Sequence, residues 1–147
     1  MVLALLLSAA ASAGAQGAIE LSPCGDEIEV AGAECGRLEV WEDRVAAAGR
    51  RISLHVAVLP ALGVEAAPDP LFLLAGGPGV AARELAPAAN WQLERIRQRR
   101  EIVLVDQRGT GGSNALDCEA VDPEAAYYHL ETEFPTRALA ACAESLD

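Results

Sequence analysis

Two glycine-bearing turns, each set directly behind a short apolar run, constrain this chain more than any other feature of its sequence. Gly76-Gly77-Pro78-Gly79 follows Leu71-Phe72-Leu73-Leu74-Ala75, and Asp106-Gln107-Arg108-Gly109-Thr110-Gly111 follows Ile102-Val103-Leu104-Val105. An apolar run without alternation, closed by a turn signal, has the pattern of a strand buried on both faces. Glycine then lets the backbone leave the strand end sharply and present its N–H groups to a pocket. Together the two turns predict the catalytic edge of an α/β sheet.

The flanking segments fit that layout. Arg37–Trp41 places Leu38 and Val40 on one face and Glu39 and Trp41 on the other, and Arg51–Leu59 places Ile52, Leu54, Val56 and Val58 on one face. Both predict strands. Glu42–Arg50, with Gly49 near its end, predicts a broad turn joining them as an antiparallel pair at the sheet edge, one face wet. Pro60–Pro70 is rich in Ala, Gly and Pro and predicts a loop. Ala88–Arg100 predicts a helix capped by Asn90, with Leu93 and Ile96 on one face and arginines at its end. Strand, turn, helix and strand make a βαβ unit, which requires parallel pairing and a right-handed crossover. Thr136–Leu146 predicts a last helix, with Leu139, Cys142 and Leu146 near one face.

Backbone donors in Gly76–Gly79 can hold an oxyanion, and removing one such donor typically costs about 3 kcal/mol of transition-state stabilisation. An ordinary Gly-Pro turn is the plain alternative. A phosphate cradle is excluded, because neither G-x-x-x-x-G-K-[ST] nor G-x-G-x-x-G is present. Asp106 and Arg108 are expected to brace the second turn by a charge-assisted bond. From there they can orient the glycine turn, since the two strand ends of a βαβ unit open on the same sheet edge.

No convincing nucleophile accompanies these turns. Gly111-Gly112-Ser113-Asn114-Ala115 approaches G-x-S-x-G but has Ala last, lies well past Val105 and precedes no helical pattern, so Ser113 is read as a loop residue. His55, flanked on its face by Ser53 and Ala57, is read as an exposed strand histidine. His129 stands beside Tyr127 and Tyr128; a Ser113, Asp122, His129 triad has a hydrolase chain order but no supporting spacing.

A net charge of -11 opposes nucleic acid or anionic membrane as a partner. Arg95, Arg97, Arg99 and Arg100 are read as a solvated helix terminus that complements the dipole. The apolar stretch Val2–Leu7, followed by Ala11-Ser12-Ala13 and Ala13-Gly14-Ala15, predicts a signal peptide over residues 1–15, although no Lys or Arg precedes it. A buried helix is the other reading of that stretch. It is too short to span a bilayer, so a secreted or periplasmic chain without membrane insertion is expected. Cys24, Cys35, Cys118 and Cys142 then favour disulfides over metal ligands, since their spacings fit no zinc pattern, and four free buried thiols are the other reading. Three pairings are open; the local one, Cys24 with Cys35 and Cys118 with Cys142, closes short loops contributing about 3 kcal/mol each. No cofactor or metal is expected. Without the leader about 130 residues remain, enough for one modest core but short of a complete large α/β enzyme.

Leu71–Gly79 (L-F-L-L-A-G-G-P-G) and Ile102–Cys118 (I-V-L-V-D-Q-R-G-T-G-G-S-N-A-L-D-C) resemble exported α/β-hydrolase-fold peptidases of the proline iminopeptidase and tripeptidyl aminopeptidase type. The resemblance is specific, because both motifs come in the right order behind the right kind of strand, and it extends weakly through Cys24, Cys35 and Arg51–Pro60. It implies that residues 16–147 are the N-terminal part of an α/β-hydrolase domain: antiparallel edge strands, then a βαβ unit. It also implies that Gly76, Gly77, Pro78 and Gly79 form part of an oxyanion hole, that Asp106, Arg108, Gly109 and Gly111 form a supporting loop, and that the substrate is a peptide trimmed from its free N-terminus. Many relatives have His where this chain has Ala75. The family's nucleophile, acid and His correspond to nothing here, so the chain alone is expected to be inactive, with apolar sheet exposed where a further strand belongs. The rival expectations are an esterase-like α/β hydrolase and a small secreted binding domain stapled by two disulfides.

Overall fold

Alternating side chains on either side of Asp43 produce the longest pairing in the molecule. In the computed structural model, which describes residues 19–77, 79–116 and 136–145, a two-residue strand β1 (Ser22–Pro23) precedes β2 (Glu34–Asp43) and β3 (Ala48–Leu59). The predicted leader, Pro78, Cys118, Asp122 and His129 lie outside the described residues. β2 and β3 pair antiparallel with Leu38 opposite Leu54 and Val40 opposite Ile52, and these four side chains form one apolar cluster. Between the strands, Asp43 Oδ1 accepts the N–H groups of Val45 and Ala46 at 2.8 and 2.9 Å. Those bonds favour the ionised carboxylate and hold Asp43 below its usual range.

Two further strands, β4 (Leu71–Leu73) and β5 (Ile102–Val105), complete a mixed five-stranded sheet in the order β1-β2-β3-β5-β4. β5 runs antiparallel to β3 and parallel to β4, as a βαβ unit requires. The sheet corrects two expectations. β3 is interior, because β5 pairs with the second half of it, and His55–Leu59 is buried throughout. β4 is the edge strand instead of one enclosed on both faces: Phe72 is 60% exposed and Leu74 74% exposed, and no described strand pairs with its outer side.

The crossover is a 3-10 turn, Ala82–Leu85, followed by α1 (Ala86–Gln92) and α2 (Glu94–Arg97), broken at Leu93. It starts earlier than predicted. Pro87 takes the first turn, where its missing N–H costs nothing, and Asn90 lies inside the helix instead of capping it. The fully buried residues of the face turned to the sheet are small: Ala82, Ala86 and Ala89 bury against Ala57, Leu59, Ile102 and Leu104 in the principal core, with Leu85 and Leu93 half-buried against it. Cys24 and Cys35, joined as a disulfide, border the same core. A last helix, α3 (Thr136–Ser145), forms within the predicted Thr136–Leu146, of which Leu146 lies outside the described residues, and its Cys142 is disulfide-bonded. No helix among the described residues is long and apolar enough to cross a membrane.

The arginine cluster is not uniformly solvated. Arg97 is buried, donating from Nε to the Pro60 carbonyl at 3.0 Å and from Nη1 to Asn90 Oδ1, and burial lowers its pKa. The Pro60–Pro70 loop meanwhile supplies the donors that the helix end lacks: the N–H groups of Leu62, Gly63 and Ala67 reach the carbonyls of Arg97, Gln98 and Arg99 at 2.7, 3.0 and 2.7 Å. A Cβ on Gly63 would stand 2.4 Å from the Gln98 oxygen. Gly63→Ala is therefore expected to cost about 1–3 kcal/mol, read as a lower urea midpoint at unchanged slope. An unchanged midpoint would show that the loop does not cap the helix in solution. Arg100 pairs with Asp69 at 2.9 and 3.1 Å and holds its carboxyl below the ordinary range. Because the folded pKa is the lower one, this contribution is full above about pH 4 and is lost as pH falls through the folded value. The small stability difference between wild type and Asp69→Asn should accordingly vanish in acid, as followed by thermal midpoints against pH.

Candidate functional site

Strand β5 ends in Asp106, whose side chain is wholly buried. A carboxylate without water is costly unless donors surround it, and here they come from two separate segments. Oδ1 accepts the Arg83 N–H at 2.9 Å, at the start of the helical crossover, and Oδ2 accepts the Gly112 N–H at 2.9 Å. Arg83 Nε stands 3.6 Å and His55 Nδ1 3.7 Å from Oδ2. The Asp106 N–H continues the ladder to the His55 carbonyl at 3.1 Å. Asp106 thus acts as a cap supplied from a distance, placing negative charge where the first helical N–H groups point.

The expected brace between Asp106 and Arg108 does not form. The chain turns after Gln107, which directs Arg108 to the opposite side, where Nη1 donates to the Glu42 carbonyl at 2.7 Å. Gln107 is the residue that reaches the glycine turn, its Nε2 donating to the Ala75 carbonyl at 3.3 Å. Beyond it, Gly109 (φ 79°) and Gly111 (φ 47°) let the loop fold back on itself. Space at Gly111 is equally restricted, since a Cβ there would lie 2.5 Å from both Ala81 Cβ and Asp106 Oδ2. Ser113 is buried in this loop, bridged to Thr110, and its Oγ accepts the His55 N–H at 2.8 Å.

Gly76, Gly77 and Gly79 are exposed at the end of β4. Gly77 (φ 71°) and Gly79 (φ 93°) adopt the left-handed region, while a Cβ at Gly76, Gly77 or Gly79 would meet open space. Glycine is needed at 77 and 79 for conformation and not for room. Among the described residues, no acceptor meets the N–H of Gly76 or Gly77. The turn is pinned on both sides, at Ala75 by Gln107 and at Arg83 by Asp106.

A charged cluster behind this loop was not legible in advance. His55, expected to be exposed, is 3% exposed and places Nε2 3.1 Å from Glu27 Oε2. Glu27 belongs to a 3-10 turn, Gly25–Glu27, directly after Cys24, and its Oε2 is also 4.0 Å from Arg83 Nη1. The unbroken apolar run Val56–Leu59 was the available signal that this half of β3 is covered on both faces; nothing in the sequence marked Glu27 or Arg83. Compared with known protein families and with curated proteins, the chain matches none.

Replacing Asp106 with Ala strands two backbone donors at about 1–3 kcal/mol each, so a loss of about 3 kcal/mol is expected. Arg108→Ala, which removes an exposed contact, should cost about 1 kcal/mol or less. Urea unfolding of both variants decides between this arrangement and the Asp106–Arg108 brace, which would make the two losses similar.

Proposed function

We propose that the chain is the N-terminal part of an exported serine peptidase with the α/β-hydrolase fold, and that the Gly76–Gly79 turn forms part of its oxyanion hole. The observation that carries the reading is the pinned turn at the end of β4, with the Gly76 and Gly77 N–H groups unengaged among the described residues. Attack on a peptide carbonyl moves negative charge onto its oxygen, and donors already fixed in place stabilise that charge without reorganisation. The bond from Gln107 and the buried Asp106 keep this turn in position, so the second loop supports the first.

Three other features agree. β4 is an edge strand with apolar side chains exposed, which suits a sheet continued by the strand that bears the nucleophile. The buried Ser113 is occupied by a backbone bond and has no place on a strand-to-helix elbow, so the nucleophile is assigned to a G-x-S-x-G turn outside residues 1–147. The Cys24–Cys35 disulfide suits an oxidising compartment. Trimming of peptides from a free N-terminus rests on the resemblance of Leu71–Gly79 and Ile102–Cys118.

The test is to read the source frame past the codon for Asp147 and to express the product. A following apolar strand, a G-x-S-x-G turn and a serine labelled by a fluorophosphonate are the expected result. A stop codon directly after Asp147, or a longer product with no reactive serine, overturns the proposal.

A further inference from the structure

Glu27, Cys35 and His55 bring a carboxylate oxygen, a sulfur and a ring nitrogen within 4.8 Å of one another. Cys24 supplies a second sulfur, bonded to Cys35. A cavity of about 200 Å³ has these four residues in its wall, giving solutes a way in. In the disulfide state neither sulfur is a thiolate, and the group has no strong soft ligand.

The His55 ring is the informative member. Its Nε2 faces Glu27, while Nδ1 is buried without a hydrogen-bond partner, 3.7 Å from Asp106 Oδ2. A neutral imidazole carries one N–H. With that proton on Nε2, the Nδ1 lone pair is aimed at the Asp106 carboxylate. With the proton on Nδ1, the ring points its donor at Asp106, and the Nε2 lone pair opens toward Glu27 and the sulfurs. A metal-binding histidine characteristically gives its other N–H to a carboxylate, and the second arrangement reaches that state once the 3.7 Å between Nδ1 and Asp106 closes to a hydrogen bond.

We propose that, once Cys24–Cys35 is reduced, the two thiolates, His55 Nε2 and the Glu27 carboxylate bind a zinc-like divalent cation, with Asp106 as the positioning residue for the ring. Disulfide and metal are then alternative staples of one site. A dithiol reductant donates two electrons and two protons, opening the S–S bond to two thiols while itself closing to a disulfide. The cation replaces the two thiol protons, which pass to solvent. Tetrahedral zinc, with Zn–S of about 2.3 Å and Zn–N of about 2.0 Å, has ligand-to-ligand edges of about 3.3–3.8 Å. The sulfurs must therefore part once the bond between them opens, and Glu27, Cys35 and His55, whose ligand atoms now lie within 4.8 Å of one another, must close by up to about 1 Å. Glu27 can follow, because its side chain is 55% exposed on a single 3-10 turn. A reducing compartment selects the metal and an oxidising one the disulfide.

The experiment is an anaerobic Co²⁺ titration of the full chain after reduction with a phosphine, followed by displacement with Zn²⁺. Intense ligand-field bands of tetrahedral Co²⁺ with thiolate charge-transfer absorption are expected, and the oxidised chain should lack them. The doubly substituted Cys24→Ser, Cys35→Ser chain, which keeps Cys118 and Cys142, should lose these bands. Glu27→Gln and His55→Ala should each weaken Co²⁺ binding about tenfold or more. Glu27→Gln alters an exposed side chain, so it decides the matter even where His55→Ala fails to fold. The proposal is overturned by an octahedral spectrum in the reduced chain, by bands that persist without Cys24 and Cys35, or by unchanged affinity in Glu27→Gln. In those cases His55 is a ring held between two carboxylates, with no role toward metal.

Discussion

The burial of one carboxylate organises this molecule. Asp106 sits at the end of β5 with no access to water, and desolvating an anion of that size costs several kcal/mol unless the protein supplies donors. It does so with the N–H groups of Arg83 and Gly112, while the Arg83 guanidinium stands near. Each donor comes from a different part of the chain, so satisfying the charge fixes where three segments meet: the strand, the start of the crossover and the loop behind β3. The glycine turn takes its position from the same bond. Residues 76–82 connect Ala75, held by Gln107, to Arg83, held by Asp106, and both anchors lie on the β5 side.

How closely the crossover approaches the sheet follows from its composition. Ala82, Ala86 and Ala89 present methyl groups to Ala57, Leu59, Ile102 and Leu104, so the layers come close there, with the half-buried Leu85 and Leu93 packed against the same cluster. Little apolar area is gained from each alanine. Polar anchoring at both ends adds to that packing, through Asp106 at the start of the crossover and the N–H groups of Leu62, Gly63 and Ala67 at its finish. Arg97 joins the second anchor by donating to Pro60 from a buried position.

The parts of this architecture that were legible are those specified by local pattern. Alternation in Arg37–Trp41 and Arg51–Leu59 predicted a hairpin, and the register pairs the expected apolar faces. The apolar run Ile102–Val105, closed by Asp106, predicted a strand parallel to the run Leu71–Ala75, and it pairs in parallel with the Leu71–Leu73 part of that run. What was misread depends on neighbours distant in sequence. Period-two alternation says which face His55 occupies, but not that the Gly109–Ser113 loop and the Gly25–Glu27 turn cover that face. Phe72 and Leu74 were read as enclosed because apolar runs usually are, yet enclosure requires a layer on each side of the strand. Asn90 was read as a cap from residue type alone, while the actual helix start is an Ala-Pro pair that carries only the weaker proline signal. Asp106 and Arg108 are close in sequence, but the turn after Gln107 separates them.

The exposed side of β4 bears on what kind of sheet this is. A parallel strand is normally flanked by strands on both sides and covered on both faces, because crossovers deposit helices there. Among the described residues β4 has β5 alone beside it, with three residues of pairing, and the exposed side chains of Phe72 in the strand and Leu74 just past it stand next to the glycine turn. Natural edge strands are usually protected by charge, proline or a bulge, and Leu71–Leu74 has no charged residue, with Pro70 lying just before it. The β1 end of the sheet differs: that strand is two residues long, contains Pro23 and is tied to the core through Cys24. Among the described residues the β1 end carries such protection and the β4 end does not. On the proposed reading the unprotected end is where the nucleophile's strand adds, bringing the attacking serine beside the Gly76 and Gly77 amides, while the crossover that goes with it would lay a helix over the face that bears Phe72 and Leu74.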